Sequence, residues 1–140
     1  MRTNRLNLAI ASGLLTIAML ACNFSTANIS SLKIGKDKSV SQESSTFAAT
    51  DPIYAVATIS NAPGKVKVKG MLAFDDVPGQ QTGPVPGLEK TLELDGSGSA
   101  TYTFTPPPDG WPTGKYKVEV IMMNESGEQK DQKTVTFTVS

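Results

Sequence analysis

Cys22 is the single thiol in a sequence of 140 residues that contains no histidine. One cysteine excludes an internal disulfide and a cysteine-only zinc site. Without histidine, the commonest general base and the commonest metal ligand are both missing. The serines therefore lack the partner that would activate one of them. Gly96-Ser97-Gly98-Ser99 has the composition of a nucleophile elbow, but it falls between strand-like runs and reads as a turn. Asp75-Asp76, Glu89, Asp95 and Asp109 are the acids that sandwich loops would gather around Ca²⁺. That ion takes roughly six to eight oxygens, and no Asp-x-Asp-x-Asp-Gly run supplies them. Met122-Met123 offers thioethers to copper but nothing to complete a ligand set. These residue types point to no catalytic centre, no metal and no cofactor. What remains is Cys22, a nucleophile at one fixed place.

Charge narrows the partners. Lys+Arg and Asp+Glu both number 13, so no basic excess exists to grip nucleic acid through counterion release. Lys65, Lys67 and Lys69 form a stripe. It offers a contact for an acidic glycan or a phospholipid, but reads more simply as a solvent face or a protected sheet edge. Residues 79–87, Gly-Gln-Gln-Thr-Gly-Pro-Val-Pro-Gly, form the longest irregular stretch and the first candidate for a recognition loop.

The elements around Cys22 explain its position. Met1-Arg2-Thr3-Asn4-Arg5 gives a basic start, residues 6–20 an apolar run of 15, and Ala21 a small residue directly before Cys22. This is the layout of a secretory signal, and the run is shorter than the ~20 residues of a spanning helix. Ala18-Met19-Leu20-Ala21-Cys22 resembles the lipobox of bacterial lipoproteins, with Met19 where leucine is usual. The resemblance implies cleavage between Ala21 and Cys22 and a diacylglyceryl group on the Cys22 sulfur. It also implies attachment to a cell membrane, the outer one in a Gram-negative host, because Asn23 rather than Asp follows the cysteine. Each buried methylene adds ~0.8 kcal/mol, and stable anchoring takes two or more chains. The competing reading is an ordinary signal cut elsewhere, for instance after Ser25-Thr26-Ala27, releasing a soluble secreted enzyme or calcium-binding protein. Loss of Arg2 and Arg5 with the signal leaves 11 Lys against 13 acids in 119 residues, a net charge of about −2.

Beyond the tether, the period is two. Val66 and Val68 alternate with lysines, and the register continues through Leu72 and Phe74, with Gly70 as a bulge or close approach. Leu92 and Leu94, then Ala100, Tyr102 and Phe104, then Tyr116, Val118 and Val120, then Val135, Phe137 and Val139 make further inward rows. Residues 53–60 are apolar on both faces, as a central strand would be. Ile29, Leu32 and Ile34 suit a first strand, and Phe47 closes the polar loop after it. This predicts an all-β fold, an antiparallel sandwich of about seven strands.

Pro106-Pro107-Pro108-Asp109-Gly110 ends one strand and turns the chain, Trp111 plugs an end of the sandwich, and Tyr116 enters the next strand at a corner. Gly-Trp-Pro-x-Gly-x-Tyr-x-Val over residues 110–118, followed by a polar hairpin and Thr-Phe-Thr-Val, resembles the last two strands of bacterial immunoglobulin-like modules. That resemblance implies an immunoglobulin-like fold over residues 28–140 with Tyr116 as its tyrosine corner. The usual core cysteine pair is absent, and the middle-strand position usually held by Trp would fall to Phe74 or Met71.

The reading is thus a signal peptide (1–21), a lipidated Cys22 with a short tether (22–27) and one sandwich (28–140). Its expected role is non-catalytic: an envelope-anchored binding or assembly module. Its partners would be the membrane, through Cys22, and an envelope protein or glycan, but not nucleic acid.

Overall fold

Alternation of apolar and hydroxyl or charged side chains produces eight strands among the described residues. They are β1 (Asn28–Gly35), β2 (Thr46–Phe47), β3 (Ile53–Ser60), β4 (Val66–Asp76), β5 (Gly83–Leu94), β6 (Gly98–Phe104), β7 (Gly114–Asn124) and β8 (Gln129–Val139). The structure is a computed structural model and describes residues 26–140; Ala21 and Cys22 lie outside the described residues. Two sheets face each other, one ordered β1-β3-β6 and the other β2-β8-β7-β4-β5. The inner rows Ile53, Ala55, Ala57 and Ile59 of β3 and Val118, Val120 and Met122 of β7 are fully enclosed between them. The fold is an immunoglobulin-like β-sandwich.

Eight strands replace the expected seven or so. The additional one, β2, runs parallel to β8, with Thr46 beside Thr138 and Phe47 beside Val139. All other pairings are antiparallel. Phe47 does close its loop onto the core: its ring meets Phe137 edge-on at 5.1 Å. β3 is central in its sheet, yet only one of its faces is enclosed, and Tyr54, Val56 and Thr58 are half-buried on the outer side. Met122 points into the core and Met123 lies half-buried on the opposite face.

Gly70 is a close approach and not a bulge. A Cβ there would stand 2.7 Å from the Tyr102 ring, so only glycine lets that ring cross from β6 to β4. The Tyr102 hydroxyl donates to the Val68 carbonyl at 2.5 Å. The aromatic that fills the middle of the core therefore comes from the opposite sheet. Phe74 sits half-buried toward one end against Tyr116 at 5.5 Å, and Met71 lies outside the inward row.

Candidate functional site

Register sorts the connections into two ends. Asn28 pairs with Ser60, Ile59 with Gly98, and Val66 with both Leu94 and Asn124. Ala27 and the turns at residues 61–65, 95–97 and 125–128 therefore share one end, called proximal here. The longer loops at residues 36–45, 77–82 and 105–113 occupy the distal end.

The proximal end receives the chain from the region of Cys22, and the first strand is fastened there across the sandwich. The Ile29 amide donates to the Asp131 carboxylate of β8 at 2.8 Å. Asn61 donates to the Asn28 side chain at 3.3 Å. The 61–65 turn is tied to the next one by the Ala62 amide, which donates to the Ser97 hydroxyl at 3.0 Å. Ser97 is thus a turn residue, but Gly98 and Ser99, read with it as a turn, belong to β6 and pair with Ile59 and Thr58. Between the 61–65 and 125–128 turns lies an open hollow of about 640 Å³, with Ala27, Lys65, Glu125, Glu128 and Lys130 on its walls.

The distal end is closed by aromatics. Trp111 is 4% exposed. Its indole N–H donates to the Asp51 carbonyl at 2.8 Å, and its ring meets Tyr116 edge-on at 6.3 Å. The Tyr116 hydroxyl donates to the Pro112 carbonyl at 2.6 Å, the bond that defines a tyrosine corner. Burial pushes the Tyr116 phenol above its ordinary range. Asp51 accepts the Ala48 amide at 2.8 Å and pairs with Lys36 at 3.3 Å. Those contacts, the amide first, hold its carboxyl below the usual value. Asp37 is lowered in the same way by the Ser41 amide and the Ser39 hydroxyl. Both carboxylates shape loops.

The remaining sequence candidates are scattered. Asp75 and Asp76 end β4, Glu89 sits within β5, Asp95 belongs to the proximal end and Asp109 to the distal end. Among the described residues no group of three or more His, Cys, Asp or Glu side chains is placed to hold one metal ion. The lysine stripe is not on an edge, because β4 lies between β7 and β5. Lys69 pairs with Glu89 at 3.5 Å and Lys65 with Glu93 at 3.9 Å, so β5 compensates its charge. The stretch 79–87 is only half a loop, since β5 begins at Gly83 and Pro84 pairs opposite Ala73.

Which strands form the sheet edges was not readable from the sequence. Among the described residues the fold ends on four of them: β1 and β6 in one sheet, β2 and β5 in the other. Alternation fixes which face a strand buries but carries no mark of its neighbours. An open groove of about 380 Å³ runs between β5 and β6, past Leu88, Lys90, Thr101 and Thr103.

No family model matches this chain, and no curated protein matches it in sequence. Solved structures match in shape. A Niemann-Pick type C2 protein from the Japanese carpenter ant superposes with a TM-score of 0.50 at 15% identity, covering 85% of this chain and 96% of that one. A β-glucosidase involved in saponin metabolism from intestinal bacteria reaches 0.50 at 18% identity, over 84% of this chain and 16% of the enzyme. A β-glucosidase from Listeria innocua gives 0.50 at 17%, over 79% and 16%. At such identities the likeness is one of fold, and the chain spans only a small part of each glucosidase. The two-sheet sandwich therefore has solved counterparts among otherwise different proteins.

Proposed function

We propose that this protein is an exported bacterial lipoprotein, cleaved between Ala21 and Cys22 and acylated on the Cys22 sulfur. Its sandwich would act as a non-catalytic binding or assembly module at the cell envelope, on the outer membrane in a Gram-negative host. The observation that carries the reading is where the folded body begins. β1 opens at Asn28, so residues 23–27 alone separate Cys22 from the domain, a reach of ~17 Å when fully extended. An anchor at Cys22 turns the proximal loops toward the bilayer and presents the distal loops and sheet edges to an envelope protein or glycan. The clamp from Asp131 to Ile29 then stands where the tether meets the fold. The absence of histidine from the sequence and the dispersal of the acids over both ends support a role in contact.

Detergent phase partitioning of the chain expressed in a bacterial host tests the anchor. The wild type is expected in the detergent-rich phase and Cys22→Ser in the aqueous phase. Identical partitioning of the two would contradict the reading and favour a soluble secreted protein.

A further inference from the structure

We propose that β6 is an assembly edge, and that its occupant is β6 of a second copy of this chain, paired antiparallel about a two-fold axis at Thr101. This goes beyond the binding-module reading by naming a contact and a partner, and it does not depend on the anchor. An immunoglobulin-like sandwich usually carries a fourth strand beside the equivalent of β6. Here, among the described residues, the sheet stops at three, β1-β3-β6. On the side of β6 away from β3, alternate backbone N–H and C=O groups find no backbone partner among the described residues.

The other edges carry the devices that block pairing, and β6 carries none. β1 has a register shift between Ile29 and Ser31, and Lys33 beyond it. β2 is two residues long. β5 contains Pro84 and Pro86, together with a register shift in its pairing to β4. Bulges, lysines, prolines and short length are the usual protections of an exposed edge. β6 pairs with β3 without a shift from Phe104 to Gly98, and its seven residues, Gly-Ser-Ala-Thr-Tyr-Thr-Phe, include no proline and no charge. Beside it lies the open groove toward β5, whose walls carry Lys38 of the 36–45 loop with Glu89 and Lys90 of β5, while no strand among the described residues fills it.

The strand is also complementary to itself. With Thr101 opposite its own copy, Ser99 faces Thr103 and Ala100 faces Tyr102 of the second chain. Hydroxyl meets hydroxyl on the outer face, a favoured cross-strand pairing, and no like charges oppose each other. A formal net charge of zero for the full sequence, about −2 once residues 1–21 are removed, adds little long-range repulsion between copies. The product is a continuous six-stranded sheet across an isologous contact.

Sedimentation velocity on the full chain in detergent tests this, with Thr101→Lys, Thr101→Glu and their equimolar mixture beside the wild type. Thr101 is half-buried on the outer face, and circular dichroism verifies that each variant folds. The wild type is expected to be a dimer. Each variant is expected to be monomeric, because the axis sets identical charges opposite each other, and the mixture is expected to regain the dimer. A second pair reads the register independently: Ser99→Lys weakens the dimer, and Ser99→Lys with Thr103→Glu restores it. A wild type that is monomeric at every soluble concentration overturns the proposal and leaves the edge to an extended segment of another protein. A dimer indifferent to Thr101→Lys, or a mixture that stays monomeric, overturns it too. Running the series again on Cys22→Ser separates this result from the fate of the anchor.

Discussion

Tyr102 spans the sandwich only because residue 70 has no side chain, and this pair organises the middle of the core. Gly70→Ala places a methyl within 2.7 Å of the ring. Overpacking of this kind costs ~1–3 kcal/mol, to be read as a lower chemical-denaturation midpoint. The cost is expected to shrink when Tyr102→Leu is present as well, since residues in contact are not additive. The phenol also sets a pH limit. Burial raises the Tyr102 pKa above the ordinary 10.0. The neutral, hydrogen-bonded form then contributes stability that is complete below pH 10 and is lost as pH rises from there toward the folded value. Thermal unfolding scans above pH 10 are expected to show a steep fall for the wild type and a shallower one for Tyr102→Phe. Tyr116, shifted in the same direction, keeps the variant from becoming flat. At neutral pH, Tyr102→Phe is expected to cost ~1–3 kcal/mol, because the buried Val68 carbonyl loses its donor. A glycine in an inward row marked position 70 as a bulge or a close approach; which of the two, and which ring it meets, was hidden because Tyr102 stands 32 residues away in sequence.

At the scale of elements, most strands could be read from periodicity alone. The inward rows of β4, β6 and β7 stand as the alternation gives them. There are two exceptions: the Gly- and Pro-rich start of β5 reads as a loop, and β2 is too short for a period to register, its parallel contact with β8 being made by tertiary closure around Phe47. Strand neighbours were equally hidden, which is why the lysines of β4 had the look of an edge. β1 is held to β8 in the other sheet through the Ile29 amide and Asp131. Asp131→Ala removes that acceptor. Hydrogen exchange at Ile29 is expected to accelerate at least tenfold, corresponding to the ~1.5–3 kcal/mol of a hydrogen bond to a charged group, while the amides of β7 keep their protection. Uniform acceleration across both sheets would instead mean that the clamp supports the whole fold and not the first strand alone.

For the whole molecule, the sandwich was legible and the candidate contacts were only partly so. A period of two, turn residues between runs, and a tyrosine at a corner suffice for two packed sheets. An exposed edge is a property of what a strand lacks, and no residue announces it. The proposed address rests on a different kind of signal, the order of residue types from Met1 to Cys22, which is read by processing enzymes and not by packing. Intact-mass spectrometry of the mature protein from a bacterial host tests it most directly. The expected chain begins at Cys22 and carries a diacylglyceryl group on that sulfur. A mature chain with a free Cys22 thiol, or one that begins after Ala27, would contradict the lipoprotein assignment.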